Sequence, residues 1–252
     1  MRSISFQRPV KFELETVQET WNQGDKVNGN LIVQNMDDKP VTIKAPQIVL
    51  AHGLYKEIKA HSNSWGIIGQ QILDSELTML PGEHKVFEWE CLLETHCPIS
   101  DNAGSLFLLF GDETARESGG KINLNVGLHP LLQGFLQTFE TQFHFLKKYE
   151  KNKKDWLEIK LVPPPSSKDF PTLDHLMCLL RLKETNIEIE YNFKVKLIGR
   201  EGENIKMKQK TRQSTQVIAE SEYLQAGGFP NRACFRQKIE DALELGKPGS
   251  LF

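Results

Sequence analysis

Seven histidines and four cysteines in 252 residues are the groups with which this chain could hold a metal or attack a carbonyl. The densest set is His84, Cys91, His96 and Cys97. Structural zinc needs paired donors at short fixed spacing, so that two ligands share one knuckle. No CxxC pair occurs among Cys91, Cys97, Cys178 and Cys234. Cys91 falls on one strand face with Phe87 and Trp89, and His96-Cys97-Pro98 reads as a loop. The set therefore reads as one buried thiol and loop residues, and no metal is expected. Nucleophilic catalysis fares no better, for there is no GxSxG elbow and no cysteine in a motif that would depress its pKa. Cys178 lies in the most apolar segment and reads as a packed, inert thiol. Glu88 and Glu90 are spaced as a carboxylate pair, but on an outward strand face that spacing is ordinary solvated surface. No GxxxxGK[ST] is present, and Gly199-Arg200-Glu201-Gly202 reads as a hairpin turn, not a phosphate loop. No catalytic residue, no cofactor and no enzyme activity are expected. The rival reading is a ligand-binding or hydrolytic sandwich with its site in residues 52–75, around His52, His61 and Trp65.

Charge is more informative. The formal net charge is −2, which excludes a bulk polycation that holds nucleic acid by charge. That near-neutrality is a cancellation. Residues 145–212 hold 16 Lys plus Arg against 10 Asp plus Glu, and the remainder holds 15 against 23. Two basic runs stand out, Lys147, Lys148, Lys151, Lys153 and Lys154, and Lys206, Lys208, Lys210 and Arg212. Such a field steers an acidic or phosphorylated protein partner or an anionic membrane surface. The bland alternative is lysine keeping strand edges soluble. These runs hold no regular alternation of aromatic and basic residues, Tyr149 being the single aromatic within them, so nucleic acid is not expected.

Most of the elements that must position these groups are strands. Phe12 and Leu14 alternate with Lys11, Glu13 and Glu15, the mark of a strand with one buried face. Trp21-Asn22-Gln23-Gly24-Asp25 reads as a turn, and so does Pro81-Gly82-Glu83. Phe87, Trp89, Cys91 and Leu93 share one side of a later strand, and Leu106 to Phe110 is a continuous apolar run. Short strands with turns about every 10 residues predict an antiparallel sandwich. Residues 52–75 read as a long loop, with a short helix or edge strand at Ile67 to Leu73.

Ser118-Gly119-Gly120 is the candidate linker, with domains expected at 1–118 and 119–212 and a polar linker and helical tail at 213–252. Leu131, Leu132, Phe135, Leu136 and Phe139 recur at helical spacing behind Pro130, predicting a short helix near 130–141. Lys147 to Asp155 reads as an exposed hairpin tip. Leu173 to Leu182 fits a helix or a buried strand, and strand is favoured. Its neighbour, Ile187 to Leu197, alternates cleanly and would close a hairpin through Lys183-Glu184-Thr185-Asn186. Phe235, Ile239, Ala242 and Leu243 share one face of a helix over roughly 232–245.

Residues 1–10 hold no apolar run of signal-peptide length. No stretch approaches about 18 consecutive apolar residues. With four scattered cysteines, this favours a cytoplasmic protein with free thiols.

Three segments carry a resemblance. They are Trp21-Asn22-Gln23-Gly24-Asp25-Lys26-Val27-Asn28-Gly29-Asn30-Leu31, then Lys39-Pro40-Val41-Thr42-Ile43-Lys44, then Met79-Leu80-Pro81-Gly82-Glu83-His84-Lys85-Val86-Phe87 followed by Pro98-Ile99-Ser100. In order and spacing they resemble the arrestin-like superfamily. Length and layout are most similar to the bacterial sporulation-control protein family. The family's acidic Leu-Asp-Glu-Leu-Glu run appears here as Leu173-Asp174-His175-Leu176-Met177, a departure, and the tail after about residue 213 has no counterpart. A vacuolar-sorting arrestin is similar in kind, though this chain is short for one. The resemblance implies an all-β chain of two arrestin-like sandwiches in tandem, with a short helix in the second. It also implies a non-enzymatic scaffold or adaptor that binds proteins through strand edges and loops. The sequence sets no oligomeric state.

Overall fold

The structure, a computed structural model, describes residues 1–60, 64–165, 167–201 and 204–247, with side chains described outside 197–208 and 246. It divides into two compact units, Met1–Gly127 and Leu128–Phe252. Strand elements dominate both, as the alternation predicted.

The first unit runs β1 (Arg2–Gln7), β2 (Val10–Thr16), β3 (Thr20–Asn22), β4 (Lys26–Asn35), β5 (Val41–Lys44), β6 (Gln47–Leu54), α1 (Tyr55–Lys59), β7 (Gly66–Ile72), β8 (Glu76–Met79), β9 (His84–Leu92), β10 (Gly104–Gly111), α2 (Ala115–Ser118) and β11 (Gly120–Gly127). Four strands form one sheet in the order β1-β2-β4-β9, and five form the other in the order β3-β11-β10-β6-β7. Every pair in them is antiparallel except β3 with β11. Phe12, Leu14, Leu31, Val33 and Trp89 from one sheet pack against Leu50, Leu106, Leu108, Phe110 and Leu124 from the other. The apolar run in β10 does not alternate because both its faces are covered. Phe107 and Leu109 point away from the core and pack with Val49 and Ala51 beneath Tyr55, Ile58 and Trp65. Residues 52–75 are therefore not one long loop. β6 continues to Leu54, α1 follows, and β7 pairs back onto β6.

The turn at Gly24 shows why the first motif has its spacing. Gly24 takes φ 90°, the left-handed region where a glycine costs least. Its N–H donates to the Leu93 carbonyl at 3.0 Å, and Leu93 N–H donates to the Asp25 carbonyl at 2.9 Å. The Asp25 carboxylate accepts from Asn22 N–H at 2.7 Å. Trp21, one step earlier, is buried in the core.

The second unit runs α3 (Pro130–Gln142), β12 (Leu146–Lys153), β13 (Trp156–Val162), β14 (Leu173–Lys183), β15 (Asn186–Glu201), β16 (Asn204–Ile218), α4 (Glu220–Tyr223) and α5 (Arg232–Leu243). Its five strands form a meander in chain order. β14 is a strand, as favoured, because Leu176, Cys178 and Leu180 pair with β15 at Phe193, Tyr191 and Ile189. The cover over their shared face comes from helices. Phe135 of α3 meets Phe235 of α5 edge-on at 5.5 Å, and Phe235 stacks on Tyr223 at 6.5 Å. Pro130 opens α3, and the His129 ring accepts from Leu131 N–H at 3.3 Å. Asn231 caps α5 by accepting from Cys234 N–H at 3.2 Å.

Two expected boundaries move. The strand after Ser118-Gly119-Gly120 does not open a second domain, because β11 zips onto β10 within the first unit. The residues after 213 are not a separate tail, because β16 continues in the sheet to Ile218 and α5 packs into the second unit's core.

The Phe135–Phe235 contact sets a stability expectation. Phe235→Ala should lower unfolding stability by about 3 kcal/mol or more, since a fully buried ring leaves a cavity. Phe229→Ala should change it by no more than about 0.5 kcal/mol, because that ring is mostly exposed. Urea denaturation of both variants checks the pair.

Candidate functional site: strand edges and a cleft

The thiols are poor nucleophiles. Burial, aided by Glu90, pushes Cys91 up to about 11. Burial with Glu94 pushes Cys97 up to about 12. Cys178 is fully buried and pushed up by burial alone. His96 pairs with Glu94 at 3.1 Å, and His84 opens β9. Among the described residues no cluster of three His, Cys, Asp or Glu is placed to hold a metal ion.

Of the rival site's named residues, Trp65 and His52 are described. Trp65 lies on Gly53, where an added Cβ would stand 2.5 Å from the ring, and meets Phe107 at 5.4 Å. Its ring is used as a cover for β6 and β10. Burial lowers the His52 pKa against the opposing pull of Asp101 and Glu57. His61 lies outside the described residues.

The first basic run is a strand, not a hairpin tip. Lys147, Lys148, Lys151 and Lys153 sit on β12, an edge of the meander, and only Lys154, at φ 55°, is in the turn. Much of its charge is satisfied at home. Lys151 and Lys153 reach the Glu158 carboxylate at 2.9 and 2.6 Å. Lys147 reaches Glu150 at 2.7 Å. Burial raises the Glu158 pKa, and hydrogen bonds from Lys153 and Lys151 outweigh it, holding the carboxyl below its usual range. Lys148 and Lys154 have no ion pair among the described residues.

The second basic run lies on β16, the other edge of that sheet. Lys210 pairs in register with Val195, and Arg212 with Phe193, so both belong to the helix-covered face. Arg212 donates to the carbonyls of Leu245 and Lys247 at 2.6 and 3.1 Å, which ties down the chain after α5. Lys206 and Lys208 pair by backbone with Gly199 and Leu197, and their side chains lie outside those described.

The feature that differs most from its surroundings is the edge β7, one of the two forms expected for Ile67 to Leu73. Its sequence Gly-Ile-Ile-Gly-Gln-Gln-Ile holds no charge and no proline, and six of its seven residues are exposed. The other outer strands of the three large sheets, apart from the three-residue β3, carry charges, as at Arg2 in β1 and at His84, Lys85, Glu88 and Glu90 in β9. Charge and proline are what normally keep an open edge from pairing with another chain.

β7 also leaves the sandwich open. Opposite Ile48 and Leu50 of β6 it places Gln71 and Gly69, and a register shift between Leu50 and Ala51 leaves Ile68 unpaired. A Cβ added to Gly69 would touch nothing within 4 Å. Across the gap stands β9, with Trp89 on its inner face over Gly29. The result is a cavity of about 350 Å³ floored by Ile48, Leu50, Leu108 and Trp89. A second, of about 390 Å³, adjoins it and shares Gln71, Trp89 and Glu90. The Trp89 indole Nε1 is buried, and no described residue accepts its hydrogen bond. The signal in the sequence was a pair of glycines and a pair of glutamines in a strand where Val and Ile would close the core.

No protein-family model matches the chain. No curated protein matches it. Among solved structures it is similar to Spo0M, a sporulation control protein from Bacillus subtilis, at 14% identity and TM-score 0.66, covering 94% of this chain and 98% of that one. The likeness is one of fold. The chain is also similar in part to a beta-glucosidase from Listeria innocua, at 15% identity and TM-score 0.31, covering 48% of this chain and 16% of that one. A b-glucosidase from Erythrobacter marinus gives 14% identity, TM-score 0.29, and coverage of 45% and 15%.

The Glu158 cluster makes a pH expectation. A carboxyl held below its usual range in the fold stabilises the fold above its unfolded pKa, and that contribution fades as pH falls through the folded value. Glu158→Gln should therefore cost about 1–2 kcal/mol at pH 7. The gap between wild type and variant should narrow below about pH 4. Thermal melts from pH 7 to pH 3 check both.

Proposed function

We propose that this chain is a non-enzymatic, intracellular adaptor with a regulatory role, which holds a partner protein by adding one of the partner's strands to β7. The observation that carries this reading is the unprotected edge itself, a seven-residue strand with neither charge nor proline, exposed along nearly its whole length. An extended peptide laid along such an edge gains main-chain hydrogen bonds, and alternate side chains find pockets on either face. The fold it shares with a sporulation control protein supports a regulatory role over a catalytic one. The raised thiol pKa values of Cys91 and Cys97 also favour that choice.

The basic edge strands take a second part. Lys148, Lys154 and Lys210, with Lys206 and Lys208 on β16, form a positive field that steers an acidic or phosphorylated partner. Lys151 and Lys153 contribute less, because Glu158 neutralises them, and Arg212 is occupied with the chain end.

Two variants test this. Ile68→Lys places a charge on β7 at an exposed position and should abolish capture of the protein's partner in a pull-down, with the melting temperature unchanged. Lys148→Glu with Lys154→Glu should slow association about tenfold at low salt and leave dissociation unchanged. Surface plasmon resonance separates the two rates. Capture that survives Ile68→Lys would remove β7 as the docking edge.

A further inference from the structure

The reading of β7 as a docking edge leaves open what chemistry its partner must present. We infer that the cleft between β7 and β9 receives a basic extended segment, which sets an aliphatic side chain into the gap left by Gly69 and offers a backbone carbonyl to the Trp89 indole. This rests on the adaptor reading and deepens it.

Three independent observations converge. The first is shape. The two adjoining cavities share Gln71, Trp89 and Glu90, so they form one cleft running beside β7 and β9. A strand's width of open edge lies on each side, because β7 and β9 each end their sheets among the described residues. The second is an unmet donor. Trp89 is only 4% exposed, lines both cavities, and its N–H has no acceptor among the described residues. A buried N–H left unpaired is costly, so a carbonyl that the ligand brings to it relieves that cost. An aliphatic side chain alone would leave that cost in place, and an extended backbone supplies both groups at once.

The third is charge. Glu90 lines both cavities, Glu88 the larger and Glu94 the smaller. Lys26 engages Glu90 at 3.3 Å, but both side chains are largely exposed, so that pair exchanges readily with a ligand's lysine. Glu88 has no ion pair among the described residues. The whole first unit shares this sign, with 17 Asp plus Glu against 11 Lys plus Arg. A second copy of this chain would bring its own β7, which holds no cation, into an acidic rim. The complementary occupant is a strand with Lys or Arg at alternate positions.

The probe is a synthetic nonapeptide, Lys-Val-Lys-Val-Leu-Val-Lys-Val-Lys, beside a control with every Lys replaced by Glu. Binding is followed by anisotropy, and the four indole N–H resonances by NMR on the full chain. Trp89→Phe keeps a ring in the core and identifies the Trp89 signal by its loss. The lysine peptide should move that resonance downfield, protect the β7 amides from exchange, and bind about tenfold or more tighter than the glutamate peptide at low salt. Gly69→Val should remove binding while raising the melting temperature, because the valine fills the cleft and suits a strand. Protection of β7 with an unmoved Trp89 resonance, or equal affinity for both peptides, would overturn the cleft inference and leave the docking edge standing. Binding that survives Gly69→Val would overturn the inference as well. Absence of both binding and β7 protection would overturn the inference and count against β7 as the edge.

Discussion

A β-sandwich must close its gap where two sheet edges face each other, and in the first unit this closure fails at one place. β9 brings Trp89 inward, and β7 answers with Gly69 and Gln71 where branched side chains would meet the indole. The consequences follow from geometry. Without a side chain at Gly69 the cavity over Ile48, Leu50 and Leu108 stays open, and the buried Trp89 N–H has no acceptor among the described residues. The Gly24 turn couples β3 and β4 to the chain after β9, and Trp65 with α1 covers the far side of β6 and β10.

The second unit solves a related problem differently. Its meander has one apolar face, and α3 and α5 cover it through the Phe135, Phe235 and Tyr223 rings. Its edges, β12 and β16, carry the lysines that β7 lacks. The contrast gives β7 its meaning. The chain protects its other long edges with charge, and leaves bare the edge beside an unfilled cleft.

The strands were legible in the sequence wherever one face is buried. Ile187 to Val195 alternates because its inner residues are buried and its outer ones are only partly so. β14 was ambiguous because Leu179 and Met177 keep the outer face partly apolar, and its register with β15 decided it. The short helix and the last helix showed their period, and Pro130 marked the start of the short one. The boundary near 118 misled because Ser118-Gly119-Gly120 looks like a linker, while β11 returns to the first unit through hydrogen bonds that no composition shift records. The basic runs were legible as charge but not as partners, since Glu158 and the Leu245 carbonyl are brought in by folding. β7 was legible as an edge strand, with a short helix as the alternative, but its significance was hidden because it depends on Trp89, distant in sequence and near in space.

A partner held as proposed would extend the five-stranded sheet at β7. Amide hydrogen exchange across Gly66–Ile72, measured with and without a captured partner, tests it most directly. Exchange in that strand should slow markedly on binding, as solvent-facing N–H groups enter a new ladder. Unchanged exchange in β7 with the partner fully bound would contradict it.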